Sequence, residues 1–236
     1  MVIKRVELLL DGYFEIDMGM LVYLKSAYYG KTYLAALKCL FIETENNRYI
    51  IDTGIGDVPE SYIKFVHPHR EEHTLERSLN KIGYKPEDIN IVINTHLHYD
   101  HVGNNRLFKI AKKYVHKKEL EYSKAPHRFY KGGYWKEHLT DMQFETFESD
   151  FEIEPGIEII ETVGHTPGHC SVVVEYKDKR YIFTGDCAPL EENIRLRNII
   201  GILYSPVDAT NALDRLISLN GIYITSHDNT QLTLPD

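Results

Sequence analysis

Apolar positions in this chain arrive in short runs broken by turn-forming polar pairs. Residues 37–54, "LKCLFIETENNRYIIDTG", are an apolar run, a turn at Glu45-Asn46-Asn47 and a second apolar run. Residues 170–186, "CSVVVEYKDKRYIFTGD", repeat the arrangement around Lys177-Asp178-Lys179. Both patterns predict β-hairpins. Downstream of each comes a stretch with helical spacing and then a strand ending in histidine. "LERSLNKIG" leads to "INIVINTH" and His96, and "LDRLISLNG" leads to "IYITSH" and His227. Two halves with the same order of elements point to an internal duplication. The expected architecture is two sheets packed face to face, helices outside and a site along one edge. Residues 119–151 break the pattern. Rich in Tyr, His, Phe and charge, they are expected to form helices and a loop joining the halves and to wall a pocket.

Composition narrows the picture. With 236 residues, the chain fits one domain spanning residues 1–236. A net charge of -8 argues against a nucleic-acid partner, which needs a basic face. No run approaches the ~18 apolar residues of a membrane span, and the N-terminal "MVIKRVELLLDGYFEID" has no signal-peptide core. Cys39, Cys170 and Cys187 have no framework spacing and read as reduced thiols of a cytoplasmic protein.

The candidate chemistry sits in "NTHLHYDHVGNN", residues 94–105, where His96, His98, Asp100 and His101 fall within six positions. Alternation on an extended segment would turn His96, His98 and Asp100 to one side, with His101 where the chain turns. Three further turn-like segments offer donors: His165 and His169 in "TVGHTPGH", Asp186 in "FTGDC" and His227 in "TSHDN". Imidazole with carboxylate suits Zn, Fe, Mn or Co rather than Ca or Mg. A structural zinc site is closed, four-coordinate and cysteine-rich. Seven donors without cysteine exceed it, and with one carboxylate shared they suffice for two metals with positions open to water. That set is His96, His98, Asp100, His101, His165, Asp186 and His227.

Other residues weigh less. His67 and His69 make a second His-x-His, but Pro68 and surrounding charge read as an exposed loop. His169 reads as a loop-shaping neighbour of the site. Asp52 in "IDTG" either orients a ligand imidazole or caps the turn before Gly54. Cys187 reads as a small buried thiol. Met18, Met20, Tyr23, Tyr28 and Tyr29 either line an apolar pocket or serve as core or dimer contacts.

His96-x-His98-x-Asp100-His101, followed in order by His165, Asp186 and His227, resembles the metallo-β-lactamase superfamily. The resemblance runs along the whole chain, through "IDTG" at 51–54 and "GHTPGH" at 164–169. It implies an αββα sandwich with a dinuclear site at its edge. It assigns His96, His98 and His165 to one ion and Asp100, His101 and His227 to the other, with Asp186 bridging. Class B β-lactamases usually carry cysteine where Asp186 stands. Glyoxalase II adds a helical domain after the last ligand, where nine residues follow His227 here. The RNase Z branch needs an extra arm and a basic surface.

The branch most similar is that of the quorum-quenching acyl-homoserine lactone lactonases, which includes pyridoxolactone-type hydrolases. The similarity rests on residues 78–104, 154–169 and 186–193. It implies a hydrolase with two divalent transition metals, foremost zinc, acting on a small lactone or ester, and a homodimer. In two-metal chemistry a hydroxide held between the ions attacks the carbonyl, and Asp100 passes a proton to the leaving oxygen. One departure matters: the branch often has a tyrosine three positions after the bridging Asp, where this chain has Pro189. Tyr99, inside the motif, is the expected substitute as a substrate-binding phenol; its alternative role is an aromatic wall. Thioesterase or phosphodiesterase chemistry on the same site, or a non-catalytic metal-binding protein, are the competing readings.

Overall fold

The computed structural model describes residues 3–235. Its first sheet is built from β1 (Arg5–Asp17), β2 (Thr32–Glu43), β3 (Arg48–Ile51), β4 (Pro68–His69), β5 (Ile91–Ile93), β6 (Lys112–His116) and β7 (Glu145–Phe147), in the order β4-β1-β2-β3-β5-β6-β7. The second contains β8 (Phe151–Glu154), β9 (Ile157–Glu161), β10 (Cys170–Tyr176), β11 (Lys179–Phe183) and β12 (Ile222–Ile224), in the order β12-β11-β10-β9-β8. Among the described residues six α-helices accompany them: α1 (Leu75–Lys81), α2 (Tyr99–Val102), α3 (Lys117–Lys124), α4 (Lys136–Leu139), α5 (Glu191–Leu196) and α6 (Pro206–Ser218).

Strand alternation builds the layers. Leu40, Ile42, Tyr49, Ile51, Ile91 and Ile93 of the first sheet face Ile157, Ile159, Val172, Val174, Tyr181 and Phe183 of the second in one shared core. The intervening positions point outward. Cys39, Phe41, Ile50 and Val92 pack under Leu75 and Leu79 of α1. Val173 and Ile182 pack under Ala209, Ala212, Leu213 and Leu216 of α6. Helix, sheet, sheet and helix follow in order, the expected αββα sandwich. The helices carry the signals their sequences promise. Thr74 caps α1 by accepting from the Arg77 amide, and Ser205 caps α6 by accepting from the Asp208 amide, ahead of Pro206 in its first turn.

The two halves repeat in three dimensions. β2 pairs antiparallel with β3, which pairs parallel with β5; β10 pairs antiparallel with β11, which pairs parallel with β12. The second hairpin turns on Lys177 and Asp178 alone, both at positive φ, the two-residue geometry matched to strand twist. One local expectation is corrected. The chain is not extended through Asp100: β5 ends at Ile93, and a short helix, α2, begins at Tyr99. Among the described residues no helix is long and apolar enough to cross a membrane.

Candidate metal centre

Four segments at strand ends bring the donors together. The loop after β5 supplies His96 and His98, and α2 supplies Asp100 and His101. The loop after β9 supplies His165, a single helical turn after β11 supplies Asp186, and the segment after β12 supplies His227. Their ligand atoms form three overlapping groups: His96, His98 and His165; His96, His101 and Asp186; Asp100, His101 and His227, each within 4.8 Å. Asp186 lies between them. Its Oδ1 is 3.3 Å from His101 Nε2 and 3.1 Å from His227 Nε2, while its Oδ2 is 3.4 Å from His165 Nε2. Asp100 Oδ2 stands 3.4 Å from His227 Nε2. His98 Nδ1 and His165 Nε2 converge to 3.0 Å.

The other nitrogen of four rings is held from behind. Asp52 Oδ2 accepts from His101 Nδ1 at 2.7 Å, the Ile202 carbonyl from His165 Nδ1 at 2.6 Å and the Ala36 carbonyl from His227 Nδ1 at 2.8 Å. His96 Nδ1 lies 3.1 Å from Thr95 Oγ1. Such contacts fix the tautomer that leaves the inner nitrogen free for a ligand. Asp52 also accepts from the Thr95 amide and hydroxyl, both at 2.8 Å, at a backbone φ of 56°. His98 is held differently: its ring lies against Gly133, where a Cβ would stand 2.6 Å from the ring.

Protonation follows from this crowding. Burial pushes the His96 and His98 imidazoles well down, helped by neighbouring imidazoles, so both are neutral, the ligating form. Burial opposes charge on His101 and His227 as well, but the surrounding carboxylates, Asp186 first and then Asp100, together outweigh it and raise both. Asp186 is in turn held well below the carboxylate range, despite burial, by His227 and His101. His96 Nε2 is buried and makes no hydrogen bond, a cost that a cation at that point would remove. The donor set fits two divalent transition metals. His96, His98 and His165 would hold one, Asp100, His101 and His227 the other, and Asp186 would face both.

Five of the donors, His98, Asp100, His165, Asp186 and His227, floor a cavity of about 560 Å³. Met20, Phe65, Phe129, Trp135, Ile200 and Ile202 give it an apolar wall. Tyr99 is stacked on Trp135 at 4.2 Å between centroids, and Tyr62 covers the other face at 4.4 Å. The Tyr99 ring borders the cavity, and its hydroxyl has no hydrogen-bond partner among the described residues. Pro189 is buried, and its carbonyl accepts from the His227 amide.

The profile of the metallo-beta-lactamase superfamily matches residues 38–226. The chain belongs to that superfamily. An N-acyl homoserine lactonase of Bacillus cereus is 31% identical over 170 residues, 66% of this chain. The match spans 65% of that relative, somewhat under two thirds of its length. A probable metallo-hydrolase of Methanocaldococcus jannaschii is 40% identical over 123 residues, 52% of this chain and 49% of that protein. Among solved structures, an N-acyl homoserine lactone hydrolase with N-hexanoyl-L-homoserine at its catalytic metal centre superposes with a TM-score of 0.84. It is 27% identical, over 98% of this chain and 96% of that one.

Residues of smaller expected weight find definite places. His69 pairs with Glu15 at 2.9 Å on the surface, and His67 is exposed. His169 is buried beneath Asp186: its Nε2 accepts from the Asp186 amide at 2.9 Å, and burial lowers the ring to about 3. Cys187 is a buried thiol pushed up to about 12 by burial. Met20 lines the cavity, Met18 and Tyr28 pack in a small cluster with Leu21, Val22 and Leu190, Tyr23 packs near α6, and Tyr29 is exposed. Two neighbours of the site went unread in the sequence. Trp135 gave no signal beyond its aromatic surroundings. Glu119 was hidden in the charged helix "KKELEYSK".

Proposed function

We propose that this protein is a dinuclear metal-dependent hydrolase that opens lactones, acyl-homoserine lactones foremost, and that zinc is its working ion. The observation carrying the reading is Asp186, whose two oxygens face histidines of both donor groups at the floor of an apolar cavity. The lactonase relatives supply the substrate class. In this reading residues 1–236 act as one domain, and the buried, unpaired cysteines suit a reducing cytoplasm.

Divalent metals at such a site supply Lewis acidity toward an ester carbonyl and activate water near neutral pH. The chain's own groups do the rest. The wall around Met20, Phe65, Phe129 and Ile200 takes an acyl chain out of water, at about 25 cal/mol per Å² of apolar area covered. Tyr99 offers an unengaged phenol to the carbonyl oxygen, the role that Pro189, lacking a side-chain donor, cannot fill. Asp100, bordering the cavity and facing His227, carries a proton to the leaving ring oxygen. His169 and Ser226 hold Asp186, the first at its amide and the second at Oδ1 at 2.7 Å.

Proton release measured with a pH indicator tests the reading. Acylated homoserine lactones should turn over far faster than glutathione thioesters or phosphodiesters. The reverse order would refute the lactonase assignment while leaving the metal site intact.

A further inference from the structure

We propose that Glu119 is a positioning residue for one half of the metal centre, setting His96, His98 and His165 independently of Asp100, His101 and His227. The inference rests on the metal-site reading above and deepens it.

Glu119 lies in the first turn of α3, fully buried. Its carboxylate faces three segments. Oε1 accepts from the Leu97 amide at 3.0 Å and from the Tyr134 hydroxyl at 2.9 Å, and Oε2 accepts from the Gly168 amide at 3.2 Å. Leu97 is the peptide unit between His96 and His98. Gly168 closes the loop that begins at His165, and it must be glycine because a Cβ would come within 2.3 Å of the Glu119 amide nitrogen. Tyr134 packs its ring edge-on to His98, with centroids 4.8 Å apart. One side chain thus ties together the two loops that hold these three histidines and the ring that backs one of them.

The other half has separate supports. His101 leans on Asp52, and His227 on the Ala36 carbonyl. Among the described residues Glu119 makes no hydrogen bond to either support or to Asp100, so its loss should be felt at one subsite and not at its neighbour. An anion is also what the geometry requires. The Leu97 and Gly168 amides approach opposite oxygens, with the Tyr134 and Thr166 hydroxyls alongside, and a carboxamide has an acceptor for only one of the two amides. With its oxygen toward Leu97 and Tyr134, a glutamine would turn its own N–H₂ toward the Gly168 N–H, donor against donor. Turned over, it would oppose the Leu97 amide.

The test is a titration of chelator-stripped protein with Co(II), following visible absorption against a competing chelator. The parent should bind two ions. Glu119→Gln should weaken one binding class by about 10- to 100-fold, the cost usual for losing a residue that orients ligands. The other class should stay unchanged, and the weakened class should be the one lost in His98→Ala and not the one lost in His227→Ala. Tyr134→Phe removes one of the three hydrogen bonds and should act in the same direction by a smaller factor. It carries the test if Glu119→Gln does not fold. Equal weakening of both classes would mean a merely structural role and overturn the proposal, as would two unchanged classes. A parent that binds fewer than two ions would instead overturn the metal-site reading.

Discussion

Asp52→Asn separates orientation from mere packing. Asparagine has the shape of aspartate and tolerates the positive φ of 56° found here, so the backbone has no reason to move. The hydrogen bonds cannot all survive. The Thr95 amide donates to Oδ1 and can only be met by an acceptor, which fixes the carboxamide oxygen there. The new N–H₂ then faces Thr95 Oγ1, which can accept, and His101 Nδ1. By donating to Nδ1 it drives the His101 proton onto Nε2, the nitrogen that faces Asp100 and Asp186. A protonated Nε2 cannot ligate. A charge-assisted hydrogen bond of this kind contributes about 1.5–3 kcal/mol. At about 1.4 kcal/mol per tenfold, that is roughly 10- to 150-fold, in line with the ~10- to 100-fold typical of outer supports to metal ligands. The expected loss falls mainly on the class of site containing His101, with a smaller effect on the other class through His96, whose Nδ1 leans on the same Thr95 hydroxyl. Cobalt titration in competition with a chelator reads both classes, and circular dichroism of the metal-free protein checks the fold. Two affinities within about twofold of the parent would refute the argument that Asp52 sets the tautomer.

Tyr99→Phe keeps the stack on Trp135 and removes only the free hydroxyl; losing one oxyanion donor should lower kcat on lactones by about a hundredfold with little change in KM, and an unchanged kcat would leave Tyr99 as wall alone. Lys38 gives a pH dependence away from the cavity, since burial lowers its unpartnered ammonium from 10.5 to about 8. Below about 8 the folded chain carries a buried charge, and between about 8 and 10.5 the unfolded chain binds the extra proton, so stability contributed by this group rises with pH across that window. At about 1.4 kcal/mol per unit, Lys38→Met should stabilise the protein at pH 7 by on the order of 3 kcal/mol and remove that rise; urea midpoints at pH 8 and pH 10 that shift equally in parent and variant would contradict it.

What could be read in the sequence followed from period and density. The paired hairpins were legible because β-branched runs alternate against a two-sided core, as Val172 and Val174 do against Val173. The seven donors were legible because histidine and aspartate cluster at strand ends beside glycine and proline. Extending the strand through Asp100 failed because the alternation of His96, His98 and Asp100 does not reveal where helix α2 begins. The supports behind the rings were partly hidden for a plainer reason. The carbonyls of Ile202 and Ala36 belong to every residue type and leave no trace in composition. Glu119 was hidden because a glutamate in "KKELEYSK" looks solvated, and only the fold carries its carboxylate inward to Leu97 and Gly168.

The central claim is a two-ion centre built around Asp186, and elemental analysis of protein purified without chelator tests it most directly. Close to two divalent transition-metal ions per chain are expected. A single equivalent, unchanged when zinc or cobalt is added, would contradict it.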